Sequence, residues 1–521
     1  MKKSAIAFSS LYVSILLMAG CASHPKVDVL ILSGLVFDGT DKPATKMDIG
    51  ICGEQICALS AAGTQRYQAD NTIDATGLVV SPGFIDPHTH SIDELKSSTK
   101  NQNLNYLFQG VSTVISGNDG GGPVDIKQAV ASLNPQGIGT NTAFYVGHGT
   151  LREQVMGTAK RYSSLAELAQ MKTLLNTAMS EGALGLSSGL YYVPGSFAAT
   201  EEVLELAKVA ASFKGVYDTH LRDESTFNIG FLPALDEAID IARRADIHLH
   251  VAHIKALGVD VWGQSEPAIA KINKAKSQGV SISADQYPWQ ASGTNVRSAL
   301  VPKWAMADSQ SAFFQRLDNP ELIEKIESEI GENIRRRGGP ESLLITASQD
   351  SELVGKTLAV LADQFTLSDV KTVIYLVKNG RTRVASFNMH EDDIKNFMQQ
   401  PWVVTSSDGT NGHPRKYASF PQKYQQYVLG SATIDIARFI RSSSGQTAEI
   451  LGLGDRGFIK PGFKADVLVF EPKEYKAQAT FKAWDRLSTG VRYLLINGEL
   501  AIDKGQYTGV LAGQFVARKR N

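Results

Sequence analysis

Between Gly83 and about Gly454, short apolar runs alternate with helical patterns, and this rhythm constrains the fold of the 521-residue chain more than any other feature. Eight runs read as strands: Phe84–Ile85, Ser112–Ser116, Ala143–Val146, Ala183–Leu186, Val216–Thr219, His248–Ala252, Val280–Ala284 and Trp402–Thr405. Helix patterns over Leu165–Ser180, Thr200–Phe213, Leu232–Arg244 and Glu266–Gln278 fall between them. Such alternation marks repeated β/α units with a parallel sheet, and eight of them predict an α/β chain with a (β/α)8 TIM-like barrel. The strands run from residue 84 to residue 405, further than the roughly 250 residues of the bare fold require. The excess lies at about 290–400, an insertion expected to form a lid or subdomain over the barrel mouth.

Both ends of the chain are β-rich. Val27-Asp-Val-Leu-Ile-Leu, Leu35-Val-Phe and Leu78-Val-Val lie on the N-terminal side, and Asp466-Val-Leu-Val-Phe and Tyr493-Leu-Leu-Ile on the C-terminal side. Neither set is large enough for a comfortable domain, so the expectation is one small β-sandwich built from residues 22–82 and 451–521, with the barrel (83–450) between them. Cys52 and Cys57 flank a Gly53-Glu54 turn in a tight hairpin. In regular pairing they would be diagonal neighbours, about 7–8 Å apart, beyond disulfide reach. No disulfide is expected.

The first residues read as a signal. Lys2 and Lys3 precede an apolar run from about Ala5 to Met18, too short for a membrane span, and Ala19-Gly20-Cys21 follows. Small residues before a cysteine resemble a bacterial lipoprotein box. This predicts a signal peptide over 1–21, a lipid anchor on Cys21 and, with Ala22 after it, an outer-membrane position facing the periplasm. A net charge of −1 with 20% charged residues offers no basic field for nucleic acid.

Chemistry concentrates at the strand ends, where parallel barrels keep it. Strand one ends in His88-Thr-His90, whose histidines at i and i+2 share a face. Strand two ends in Asp119 on a glycine-rich loop, strand five in His220, strand six in His253 and strand eight in Asp408. Neutral imidazoles with carboxylates suit a catalytic zinc site that keeps a position open for water. His248 and His250 sit deeper on strand six and read as barrel-wall residues. His148 after strand three is either structural or substrate-facing, and His390 and His413 lack ligand-like company.

Together these residues resemble the amidohydrolase superfamily and, within it, the N-acyl-D-amino-acid deacylase (D-aminoacylase) family. The matching stretches are Pro82-Gly-Phe-Ile-Asp-Pro-His-Thr-His, Gly147-His-Gly-Thr-Leu-Arg, Gly185-Leu-Ser-Ser-Gly-Leu-Tyr-Tyr, Thr219-His-Leu-Arg-Asp-Glu, Ala252-His-Ile-Lys, Asp285-Gln-Tyr-Pro-Trp, Ser407-Asp-Gly, His413-Pro-Arg and Asp455-Arg-Gly through Ala465-Asp-Val, in family order. The resemblance implies that His220 and His253 hold a tight zinc with residue 119, that His88 and His90 form a second, weaker position, and that Asp408 is the catalytic carboxylate. Better-known members usually have cysteine at position 119. A carboxylate is a harder ligand and can bridge two ions, so Asp119 bears on metal identity and occupancy.

The implied reaction is hydrolysis of the amide bond of an N-acyl-D-amino acid, with Asp408 as general base and then acid. Lys255 and Arg297 are candidate cations for the substrate carboxylate, Tyr192 and Tyr287 candidate hydrogen-bond donors, and Arg415 is either structural or substrate-facing. The D configuration rests on the resemblance alone. Rival readings are an amidohydrolase acting on dipeptides or cyclic amides, and a non-catalytic envelope lipoprotein.

Overall fold

The computed structural model describes residues 25–518. The signal over 1–21 and the Cys21 anchor lie outside the described residues. Among the described residues no helix is long and apolar enough to cross a membrane.

Eight strands form the barrel: β1 Phe84–Thr89, β2 Val111–Ser116, β3 Asn141–Phe144 continuing as Val146–Gly147, β4 Gly185–Gly189, β5 Val216–His220, β6 His248–Val251, β7 Ile282–Gln286 and β8 Val403–Thr405. Every neighbouring pair is parallel, β1 to β2 to β3 in one run and β3 through β8 in the other. Strands β1, β2, β4, β5 and β7 are buried along their whole length, as expected where helices cover the outer face and side chains fill the interior. At Tyr145, between the two parts of β3, the backbone N–H still donates to Ser116 O (2.9 Å). Closure between β8 and β1 is thin. It includes a bridge between Thr89 and Gly409, the Ser407 N–H donating to Asp86 Oδ1 at 3.1 Å and the Ser407 hydroxyl donating to His88 O at 3.4 Å.

Each amphipathic pattern between strands is a helix: Leu165–Ser180, Thr200–Ser212, Phe231–Ala245 and Ser265–Ser277. Their apolar faces, with Leu175, Leu206, Leu235 and Ile272, are fully buried in the main core around the barrel. The first of them opens with a capping box between Ser164 and Glu167, which satisfies amides that would otherwise lack partners.

The β-rich ends meet in one hydrogen-bonded sheet of nine strands. Val467–Phe470 from the C-terminal side pairs antiparallel with Val79–Pro82 from the N-terminal side, directly before β1. Ile31, Ile49, Ile51, Val80, Val467, Val469 and Leu495 form its shared core. The insertion folds as an antiparallel sheet in the order Ala291–Asn295, Arg383–Phe387, Leu343–Ala347, packed with helices around its own core.

The cysteine expectation is overturned. Cys52 and Cys57 form a disulfide, with Cα atoms 5.7 Å apart. Cys52 does oppose Gln55, but the register shifts between Gly50 and Ile51, whose partners are Ala58 and Ile56. Cys57 is the extra residue of a β-bulge, which re-aims a side chain and brings it towards Cys52.

Candidate metal centre

Six side chains from five strand ends converge at the barrel mouth in two groups that share one member. His88, His90, Asp119 and Asp408 form one group, and Asp119, His220 and His253 the other. Asp119 Oδ1 lies 3.6 Å from His88 Nε2, 3.5 Å from His220 Nδ1 and 3.3 Å from His253 Nε2, while its Oδ2 lies 3.6 Å from His90 Nε2. Asp408 Oδ1 is 3.7 Å from His88 Nε2 and 3.3 Å from His90 Nε2. Donor atoms around a tetrahedral zinc with bonds of about 2.0–2.2 Å stand about 3.3–3.6 Å apart; the carboxylate–imidazole spacings fall in or beside that range, and His220 Nδ1 and His253 Nε2 stand closer, at 2.9 Å. Unpartnered atoms agree. His88 Nε2 and Asp119 Oδ1 are buried without a hydrogen-bond partner in the protein, an arrangement that needs an explanation and that a cation supplies.

The backbone is bent to make this cluster. Asp119 (φ 57°), His253 (φ 34°) and Asp408 (φ 46°) all occupy the left-handed region, which non-glycine residues adopt at a cost of about 1–3 kcal/mol and mostly at functional sites. The Asp119 loop can lie against β3 and β4 because its neighbours lack side chains. A Cβ on Gly122 would strike the carbonyl oxygen of Tyr145, and one on Gly189 that of Asp119. The Ser187 hydroxyl fastens the loop by donating to Gly117 O and accepting from Gly120 N–H.

Outer contacts set the ring orientations. Glu224 Oε2 faces His220 Nε2 at 3.5 Å and Oε1 faces His253 Nδ1 at 3.2 Å, so one carboxylate addresses the nitrogen of each ring that points away from Asp119. A carboxylate so placed orients each ring with its opposite nitrogen towards Asp119. Asp285 Oδ2 faces His88 Nδ1 at 3.7 Å and accepts from His250 Nε2 at 3.0 Å. Burial presses His253 towards neutrality, and the Lys255 charge adds to this. Glu224 and Asp119 outweigh both and raise its pKa to about 9. Burial pushes the Asp408 carboxyl up, but the Arg415 guanidinium and the nearby histidines hold it below the usual carboxylate range.

A cavity of about 510 Å³ opens over the cluster, lined by His90, Asp119, His220, His253 and Asp408. Tyr192 and Tyr287 are in its wall, with the Tyr192 ring 4.8 Å from His220 and the Arg415 guanidinium 4.7 Å over Tyr287. Arg415 pairs with Asp408 Oδ2 at 2.8 Å. Of the two expected cations, one lines this cavity and the other does not. Lys255 lines the cavity, but its ammonium already donates to Glu224 Oε1 (2.7 Å) and to His253 O (2.9 Å). Arg297 faces away from the metal cluster into separate cavities, over Phe313, because it follows the strand Ala291–Asn295 that walls the catalytic cavity. The wall instead presents Arg383 and Arg337.

Of the other histidines, His148 is buried against Glu202 (2.7 Å), while His248 and His250 bond to Ser281, Ser283 and Asp285 in the barrel wall. His413 bonds to Ala291 O at 3.0 Å, and His390 is exposed at a helix N-terminus.

No family model matches the chain. It is 27% identical to a D-aminoacylase of Alcaligenes xylosoxydans xylosoxydans over 518 residues, covering 94% of this chain and 98% of that protein. A crystal structure of D-aminoacylase, described as defining a novel subset of amidohydrolases, superposes with a TM-score of 0.81 at 27% identity, over 94% of this chain and 100% of the other. The N-acyl-D-glutamate deacylase of Bordetella bronchiseptica, solved with zinc and a phosphonate mimic of the tetrahedral intermediate, superposes at 0.80 with 28% identity, over 95% and 100%. The similarity runs the length of both chains, through the barrel and the sheet built from the two termini. Over nearly its whole length the chain is similar to D-aminoacylase and to N-acyl-D-glutamate deacylase, and it shares the fold of that subset of amidohydrolases.

Proposed function

We propose that the protein hydrolyses the amide bond of N-acyl-D-amino acids, releasing a carboxylate and a free D-amino acid, with zinc as its metal. The observation that carries this reading is the position of Asp119 in both ligand groups, with Oδ1 towards His220 and His253 and Oδ2 towards His90. His220, His253 and Asp119 would hold one ion; His88, His90 and Asp408 face the second position across the same carboxylate. When bound, zinc lowers the pKa of water to about 7 and polarises the scissile carbonyl.

The chain's own residues supply the rest. Arg415 occupies Asp408 Oδ2, which leaves Oδ1 as the proton acceptor. Asp408 takes a proton from the attacking water as the new C–O bond forms, then delivers it to the amide nitrogen as the C–N bond breaks. One group thus serves as base and acid. Arg383 has no carboxylate partner among the described residues, lines the cavity and is in electrostatic range of Asp408 and Tyr192. It is placed to take the α-carboxylate bidentately.

Release of free D- but not L-amino acid from a panel of N-acyl substrates tests the reading. Cleavage confined to dipeptides or cyclic amides would sink it. From the sequence, we also propose that Cys21 carries a lipid anchor and holds the enzyme at the outer membrane facing the periplasm. Loss of the membrane fraction in a Cys21→Ser variant checks that, and unchanged fractionation counts against it.

A further inference from the structure

The catalytic cavity carries more positive charge than one α-carboxylate needs. Three of its cations are already neutralised. Lys255 pairs with Glu224, Arg415 with Asp408, and Lys416 with Glu94. Two are not: among the described residues, neither Arg383 nor Arg337 makes an ion pair with a carboxylate. Arg337 is the more telling, because it is 2% exposed and donates only to neutral oxygens, those of Ala299 O (3.1 Å), Ser386 Oγ (3.3 Å) and Tyr191 OH (3.2 Å). A buried, uncompensated guanidinium is costly, and in a ligand cavity the missing anion is naturally the ligand's.

The surroundings reinforce the sign of the charge. Lys303 is held over the Tyr191 ring at 3.7 Å from its centroid and donates to the neutral Ser298 O at 2.7 Å. Asp223, the acidic group that acts on Lys303, has its oxygens engaged by the backbone N–H groups of Ser225, Asn228 and Gly230. Tyr191 itself stands 5.5 Å from the His220 ring. Arg337 therefore lies one side chain beyond the ligand cluster, at an end of the cavity with a positive field, while Arg383 acts on the side of Asp408 and Tyr192.

We propose that the preferred substrates carry a second anion: Arg337 receives a side-chain carboxylate while Arg383 receives the α-carboxylate, which makes the enzyme selective for N-acyl derivatives of acidic D-amino acids. This rests on the deacylase reading above and specifies its substrate class. A pocket built around a charged group rejects a neutral isostere strongly, because the guanidinium is then left unpaired.

The test is kcat/KM for N-acetyl-D-glutamate and N-acetyl-D-aspartate against the isosteric N-acetyl-D-glutamine and N-acetyl-D-asparagine, using the zinc-loaded full chain. The expected result is a preference of about ten-fold or more for the acids, and a fall in that ratio towards unity in Arg337→Met. As a readout that needs no variant, free D-glutamate should inhibit the wild type at a concentration about ten-fold below D-glutamine. Equal rates on acid and amide overturn the acidic preference while leaving the deacylase reading intact. Equal losses on both substrates in Arg337→Met, with the wild-type preference present, overturn the assignment of Arg337. Hydrolysis of no N-acyl-D-amino acid overturns both readings.

Discussion

Asp119 and Asp408 look alike in the sequence, each followed by a glycine at a strand end, yet their surroundings assign them different work. Asp119 is faced by four histidines and by no Lys or Arg within ion-pair distance among the described residues, whereas Asp408 has one oxygen held by Arg415. Asp119→Ala should therefore lower metal content in both halves of the centre, read as moles of zinc per chain by elemental analysis. Loss of one ion with full retention of the other would contradict the bridging role. Asp408→Asn should keep at least the ion of the His220–His253 half while kcat falls about 10²–10⁴-fold. Glu224 was open to reading from sequence only in part. It stands four residues after His220 in the quoted motif, but nothing in that spacing says that it serves His253 as well. Glu224→Gln should weaken zinc binding about 10–100-fold, measured by competition with a chelator; unchanged affinity would remove it from the centre's support. Arg297 shows the opposite limit. Sequence places it near the mouth, and only the path of Ala291–Asn295 decides which side of the wall it faces.

At the scale of elements, the barrel strands were legible because a parallel strand covered on both faces reads as an unbroken apolar run. Ala143-Phe-Tyr-Val and Trp402-Val-Val stand out in that way. The insertion sheet does not. Ala291-Ser-Gly-Thr-Asn and Arg383-Val-Ala-Ser-Phe are short, mixed in polarity and partners only across 88 residues or more, so local pattern carries no trace of their pairing. The Cys52–Cys57 hairpin was read correctly in its turn and wrongly in its register, because a single bulged residue leaves composition unchanged while moving a side chain. Closing so short a loop limits what the disulfide contributes, to about 2 kcal/mol in the chain-entropy account. Cys52→Ser with Cys57→Ser should lower stability by about that amount in denaturant titrations while zinc content stays constant. A change in zinc content would mean that the terminal sheet communicates with the barrel mouth.

Across the whole molecule, the barrel closes where its hydrogen bonding is weakest, between β8 and β1, and helices complete the closure. Lys423, at the end of the helix Arg415–Lys423, is buried there and donates to Thr405 Oγ1 of β8 at 2.9 Å. Thr405 Oγ1 also accepts from Ser443 Oγ (2.9 Å), on the helix Ile436–Ser443. Burial, with the Arg438 charge, lowers the Lys423 pKa to about 7, against about 10.4 in the unfolded chain. Between these values the unfolded state binds more protons than the folded one, so stability rises with pH. Below about pH 7 the lysine is charged in both states and the penalty for burying it is fully present; above about pH 10 it is neutral in both and the penalty is gone. Lys423→Met, which keeps the stem and removes the amine, should therefore stabilise the protein most at pH 6, by on the order of 2–4 kcal/mol before the lost hydrogen bond to Thr405 is deducted. The gain should shrink through pH 7–10 and vanish or reverse at the upper end. Chemical denaturation of both proteins at pH 6, 8 and 10 measures this directly. A gain independent of pH would show that the ammonium is charged inside the fold, and a loss at every pH would show that its bond to Thr405 holds β8 to the closing helices more strongly than burial opposes it.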